Sequence, residues 1–170
     1  LNAAQTMVTD TQIRMRLSDV AAAGFKPRAG AQGLQVIQTI QVGDPTRLHD
    51  VPLFESNVAP FVLHPVIGAA TFAVDSGQQI MTVPVTSVTI DPTQRVLAYL
   101  YPTPPTTAVS PAAILPARPR ALAADPITFI VEHAQVLAGT YLLSIQIDGA
   151  ASLLDTDAAG AFSGPKVVIP

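Results

Sequence analysis

Along most of the chain, apolar positions recur at every second residue in short runs broken by turn residues. The clearest run is residues 138–149, where Tyr141, Leu143, Ile145 and Ile147 fall on one side. Leu142, Ser144, Gln146 and Asp148 fall on the other, so the spacing predicts a strand with one apolar and one mostly wet face. Gly139 before it and Asp148-Gly149 after it are turn chemistry, since Gly tolerates positive φ and Asp-Gly suits a tight reversal. Residues 35–42 are β-rich and stop at the turn signal Gly43-Asp44-Pro45. Residues 61–67 are apolar on both faces, but Pro65 cannot donate to a ladder, which places that strand at an edge or a bulge. Strands follow over residues 70–74, 79–83, 85–90 and 95–101, separated by Asp75-Ser76-Gly77, Pro84 and Asp91-Pro92. Residues 127–132 place Ile127, Phe129 and Val131 on one face, and short strands over 151–154 and 166–169 close the series.

Three stretches depart from that rhythm. In residues 1–32, residues 12–17 put Ile13, Met15 and Leu17 on one side and both arginines on the other, which favours a strand. The alternative is a helix, and Ser18-Asp19 ahead of Val20 is capping chemistry for a short helical turn. Residues 44–59, near Pro45, Pro52 and Pro60, are expected to be a linker. Residues 102–126 carry Pro102, Pro104, Pro105, Pro111, Pro116, Pro119 and Pro126, which predicts a long and partly polyproline-like loop. About seven to nine short strands at this spacing predict an immunoglobulin-like antiparallel β-sandwich. A tyrosine soon after a strand-opening glycine, as in Gly139-Thr140-Tyr141, commonly ties down a corner of such sandwiches through its hydroxyl. The expected division is an N-terminal extension and linker over residues 1–57 and a sandwich over residues 58–170. The extension is expected to pair with a neighbour or with a further domain. One sandwich is preferred to two domains, because the three late strands alone would hardly close a core.

Composition sharpens the picture in one respect. The 170 residues are 49% hydrophobic and only 12% charged, about half the usual charged share. A surface this neutral suits either a protein covered by partners in an assembly or a free domain coated with Thr, Gln, Ser and Pro. The net charge is −3, and Arg14/Arg16, Lys26/Arg28 and Arg118/Arg120 are pairs without interleaved aromatics, which argues against nucleic-acid binding. Without cysteine the chain has no disulfide framework and no thiolate metal site, and either a cytosolic or a secreted setting fits. No uncharged apolar run reaches the roughly 18 residues of a membrane-spanning helix. The chain begins at Leu1 and not at Met, as expected of a piece of a longer protein.

Motifs for chemistry are sparse. Phe72-Ala73-Val74-Asp75-Ser76-Gly77 matches the apolar-apolar-Asp-Ser/Thr-Gly signature of aspartic proteases, whose two carboxylates share a proton. No second Asp-Ser/Thr-Gly follows, so a protease would need Asp75 from a twin chain; a hairpin turn is the preferred reading. Asp155-Thr156-Asp157-Ala158-Ala159-Gly160 opens like a calcium loop, but Ala159 and Lys166 occupy positions where ligands belong. His49, His64 and His133 lack the i+2 or i+4 partners of metal motifs. No nucleophile elbow, His-Glu-x-x-His or phosphate-cradling glycine loop occurs. Neither an enzyme, a metal nor a cofactor is expected.

One succession of residues is more specific. It runs from Glu55-Ser56-Asn57-Val58-Ala59-Pro60-Phe61-Val62-Leu63-His64-Pro65 through Gln94-Arg95-Val96 to Gly139-Thr140-Tyr141-Leu142-Leu143 and Asp148-Gly149-Ala150-Ala151-Ser152-Leu153. In order and spacing it resembles the C-terminal immunoglobulin-like part of tail-terminal cap proteins from phage-tail-like contractile injection systems of the Photorhabdus virulence cassette type. The resemblance spans residues 33–170 and implies a non-catalytic cap that terminates or stabilises sheath and inner tube. It further implies sheath and inner-tube proteins as partners, a homo-hexameric ring, and assembly in the bacterial cytoplasm with release of finished particles. Candidate contact residues are Glu55, Ser56, Asn57 and Phe61 at the linker and Tyr101, Pro102, Pro104 and Pro105 at the start of the proline loop. Turn and core roles would account for the same residues. The alternative function is a secreted or surface sandwich binding carbohydrate or another cell surface, for which aromatic platforms are the usual device.

Overall fold

The computed structural model describes residues 7–8, 13–14, 27–86, 88–103, 112–123 and 126–170. The helical turn expected at Ser18-Asp19 lies outside the described residues, as does most of the strand over 12–17. Eleven strands matter here: β1 (Gly30–Leu34), β2 (Ile37–Val42), β3 (His49–Glu55), β4 (Ala59–Leu63), β5 (Thr71–Asp75) and β6 (Gln78–Val83), then β7 (Val96–Pro102), β8 (Ala113–Pro116), β9 (Ile127–Val131), β10 (Gly139–Ile147) and β11 (Lys166–Ile169). Among the described residues the chain is all β, and β5 to β11 form the expected antiparallel sandwich.

One sheet runs β8-β7-β10, and β10 is paired again along its far edge, first by β11 and then by Ala150–Ala151. The other sheet runs β9-β6-β5. Alternation decides which side of each strand is inside. Val96, Ala98 and Leu100 of β7 and Leu143, Ile145 and Ile147 of β10 meet Met81 and Val83 of β6 and Ile127, Phe129 and Val131 of β9 in one core. The two sheets are stitched where the chain beyond β8 crosses over: Ala117 bridges Phe129, and Arg118 donates its N–H to the Thr128 carbonyl.

Local chemistry sets the corners. Ser76 and Gly77 both have positive φ (51° and 79°), giving the two-residue turn whose twist suits a β5–β6 hairpin. The Tyr141 hydroxyl donates to the Leu137 carbonyl at 2.9 Å, so the corner tie expected of this tyrosine is present. At the loop before β7, Thr93 donates through both N–H and hydroxyl to Asp91, holding that exposed carboxyl below its ordinary range.

Five expectations are corrected. Leu142 and Ser144, assigned to the wet face, are 1% and 5% exposed. The chain beyond Ala151 returns along β10, where Ser144 Oγ donates to the Ser152 carbonyl and Leu143 N–H to the Pro165 carbonyl. Residues 44–59 are not a linker, for they contain β3, hydrogen-bonded to β2. The proline tract 102–126 contains β8, which holds the edge of its sheet, where Pro116 forfeits no inner ladder bond. Among the described residues of 85–90 the strand is Val85–Thr86, paired with Val66–Ile67, with Thr89 in an isolated bridge to Arg28, and residues 61–67 are split into two strands at His64-Pro65.

Because Tyr141 is 8% exposed and its hydroxyl bond satisfies a turn carbonyl, Tyr141→Phe is expected to cost about 1 kcal/mol and lower Tm by about 2–4 °C. Phe129→Ala, at the centre of the core, is expected to cost about 3–5 kcal/mol. Urea unfolding followed by far-UV circular dichroism measures both.

Candidate interaction surface

Residues 30–63 form a long antiparallel ribbon that precedes the sandwich strands. Its inner half pairs β1 with β4, from Gly30 opposite Leu63 to Leu34 opposite Ala59. Its outer half pairs β2 with β3, from Ile37 opposite Glu55 to Val42 opposite His49, with a bulge between Gln38 and Thr39. Ser56 joins the halves: its N–H donates to the Val36 carbonyl and its Oγ accepts the Val36 N–H. At the tip Gly43 has φ 131°, and a Cβ there would collide with the Arg47 carbonyl oxygen. Asp44 Oδ1 accepts both the N–H and the hydroxyl of Thr46, which holds this exposed carboxyl below its ordinary value.

The register sorts the outer half into two unlike faces, because residues directly opposite in a ladder share a side. Gln38, Ile40 and Val42 lie with Phe54, Val51 and His49, whereas Thr39, Gln41 and Ile37 lie with Pro52, Asp50 and Glu55. One face therefore carries an apolar strip of Ile40, Val42, Val51 and Phe54, with Gln38 and His49 on the same side. Among the described residues the strip packs on no core: Ile40 is 40%, Val42 43% and Phe54 67% exposed, and Val51 is partly buried. Leu34, Phe61 and Val62 of the inner half are exposed too.

Among the described residues the ribbon is tied to the sandwich at its base. Thr89 N–H donates to the Pro27 carbonyl, and Ala29 enters the core at 2% exposure. Gln94, 9% exposed, donates from Nε2 to both the Ala29 carbonyl and Asp148 Oδ2, while its Oε1 accepts the Asp91 N–H. Asp148, in a positive-φ turn (46°), accepts the Arg95 N–H on its other oxygen. On the returning side His64 Nδ1–H donates to the Ala151 carbonyl at 2.7 Å. His64, Gln94, Arg95 and Asp148 with Ala151 thus meet at this junction, whereas residues 139–143 lie at the other end of β10.

The expected contact residues separate into two places. Glu55, Ser56, Asn57 and Phe61 all lie on the ribbon, where Ser56 is a structural joint and Glu55 accepts from Gln35 Nε2. Phe61 is 45% exposed, so a core role does not hold for it. The expected division at residue 58 falls between β3 and β4, inside the ribbon. Tyr101 and Pro102 sit at the opposite end of β7 from the ribbon base, opposite Leu142 and Tyr141, about 20 Å along the strand. The Tyr101 ring stacks on Tyr99 at 6.5 Å, and burial, then Tyr99, raises its hydroxyl pKa. Pro104 and Pro105 lie outside the described residues. Ile40, Val51 and Phe54 escaped the sequence reading because half of their strip lies in the supposed linker.

The remaining candidates have structural surroundings. Asp75 ends β5 at the hairpin turn, where it accepts from Ser76 Oγ and lies 3.7 Å from Arg118. Asp157 Oδ1 accepts the N–H groups of Ala159 and Ala161, closing a turn between Asp155–Thr156 and Phe162–Gly164. Among the described residues no three His, Asp or Glu side chains come together as a metal site, and no helix is long and apolar enough to cross a membrane.

Residues 65–168 match a family described as a domain of unknown function, DUF8756. The chain belongs to the DUF8756 family. The DUF8756 segment begins at Pro65, where the ribbon has just rejoined the sandwich, and ends within β11, so it covers the sandwich and leaves the ribbon outside. No curated protein and no solved structure matches the chain.

Two outcomes follow from the ribbon's ties. Gln94→Leu removes three hydrogen bonds at the base and is expected to cost about 1–3 kcal/mol, with faster amide hydrogen exchange at Ala29 and Ala31. At the tip, the Asp44 carboxyl has a pKa below 3.8 in the folded protein, so its stabilising bonds are complete above pH 3.8 and are lost as pH falls through the lower folded value. The Thr46 amide, measured by exchange across that range, is expected to lose protection there, and Asp44→Asn is expected to flatten the dependence.

Proposed function

We propose that the protein is a non-catalytic structural subunit that works by protein–protein contact, at the tail end of a contractile, phage-tail-like injection particle. The observation that carries the reading is the ribbon, whose apolar strip is exposed among the described residues. A two-stranded ribbon is marginal in water on its own, and uncovered apolar surface of this kind is where partners bind. The low charge of the whole chain supports the same reading. The tail-end setting rests on the resemblance, three of whose stretches build the ribbon and its anchor. Sheath and inner-tube proteins are then the partners, and a sixfold ring would multiply weak contacts through avidity.

Negative-stain microscopy of purified particles tests the setting. Density at one tail end that disappears on deleting the gene is the expected result; a protein absent from every particle overturns it. Replacing residues 36–56 by a short turn is expected to leave sandwich melting within about 2 °C, because the ribbon shares no core with it, while abolishing incorporation.

A second reading has one observation in its favour. Tyr99 and Tyr101 stack on the outer face of the sheet, half-buried, with Tyr99 donating to Gln146 Oε1. An aromatic pair so placed suits a sandwich that binds carbohydrate or another cell surface. Glycan binding lost in Tyr101→Ala but kept in the ribbon deletion would move the assignment there.

A further inference from the structure

We propose that the Asp148-Gly149 turn is a self-modification site. Conversion of Asp148 to isoaspartate there releases the ribbon from its anchor, and the intact anchor holds the reaction back.

The chemistry starts in the sequence. A peptide nitrogen can attack the side-chain carboxyl of an aspartate just before it, most easily when the nitrogen belongs to glycine, which has no Cβ to crowd the approach. Asp148 alone among the aspartates is followed by glycine, and the sequence holds no Asn-Gly. The fold places this pair in the two-residue turn between Ile147 and Ala150, with both residues exposed and at positive φ (46° and 91°). There is room beside the nitrogen, since a Cβ built on Gly149 meets nothing within 4 Å among the described residues.

In the first step the Gly149 nitrogen bonds to Asp148 Cγ, its proton leaves with the carboxyl hydroxyl as water, and a cyclic imide closes. Water then adds to the main-chain carbonyl carbon of Asp148 and breaks its bond to the Gly149 nitrogen. The main chain now runs through the former side chain. The water lost in closure is regained in opening, so no other reactant is consumed.

The anchor opposes the first step. Arg95 N–H donates to Asp148 Oδ1 at 2.9 Å and Gln94 Nε2 to Oδ2 at 3.0 Å, so both carboxyl oxygens are engaged. The Asp148 N–H in turn donates to the Arg95 carbonyl. Attack makes Cγ tetrahedral and expels one of those oxygens, which cannot happen while both are held. The reaction therefore proceeds through local opening of the junction. Its product does not fit back. The added main-chain carbon lengthens a turn whose ends are paired, and the new carboxylate sits directly on Cα, withdrawn from Arg95 and Gln94. Gln94, 9% exposed, is left with an unmet amide donor, and the opening becomes permanent.

The full chain is aged at 37 °C and neutral pH, folded and in guanidinium, and isoaspartate is read by enzymatic methylation and peptide mapping. Methyl label is expected at residue 148, accumulating about ten times faster in Gln94→Leu than in the folded wild type and fastest in guanidinium. Asp148→Glu, whose longer side chain closes the imide poorly, is expected to abolish the label. In aged wild type the Arg95 amide is expected to lose exchange protection in proportion to the converted fraction. Equal rates for wild type in buffer and in guanidinium overturn the protection, whether or not Gln94→Leu folds. No label at residue 148 in guanidinium overturns the site, and full Arg95 protection in converted chains overturns the release.

Discussion

Strand β10 is hydrogen-bonded to β7 along one edge, and along the other to β11, Pro165, Ser152 and Ala150–Ala151 in succession. That double pairing explains why Tyr141, Leu142, Leu143, Ser144 and Ile145 are all buried in a strand whose residues alternate in polarity. A strand paired on both edges has no backbone group left to offer water, so its side chains can be enclosed on both faces without stranding a donor or acceptor. The corner tie of Tyr141 opens this strand and the Asp148 turn closes it. The rest of the sandwich is assembled around the length between them.

The Asp148 end couples the sandwich to the ribbon. Asp148, Gln94, Arg95 and Ala29 come from three separated parts of the chain, and their hydrogen bonds fix where the ribbon leaves the core. The exposed Asp148 carboxylate accepts from a backbone N–H and from the side-chain amide of buried Gln94, and the geometry is specified because the desolvated Gln94 amide needs its partners. The ribbon beyond is different in kind. It owes its form to ladder bonds, the Ser56 joint and the Gly43-Asp44 tip, and contributes no side chain of β2 or β3 to the core. A rigid base carrying an amphipathic strip fits a part that contacts other chains, and the DUF8756 match, confined to the sandwich, separates the same two parts.

The Tyr99–Tyr101 pair belongs to a second surface. The two tyrosines alternate with Ala98 and Leu100 on β7, so the packing of the core orients them outward, and their mutual stacking follows from the two-residue period. This places the aromatic surface and the ribbon at opposite ends of one strand, and variants of each can be compared without disturbing the other.

By itself the sequence determined the β character, most strand positions of the sandwich, the turn at Asp75-Ser76-Gly77 and the hydroxyl tie of Tyr141. Each of these follows from a local period or from a residue's own backbone preference, with neighbours a few positions away. The strand in residues 44–59, the strand inside the proline tract and the burial of Leu142 and Ser144 were decided by tertiary structure. Whether a segment rich in Pro and mixed in polarity becomes a strand depends on the partner that reaches it, here Ile37–Val42 for β3 and Val96–Pro102 for β8. The candidate contact residues divide in the same way. That Glu55, Ser56, Asn57 and Phe61 share the ribbon follows from their being consecutive or nearly so. The apolar strip was not, since Ile40 and Val42 join Val51 and Phe54 only after the chain has turned back on itself and a bulge has reset which side each residue faces.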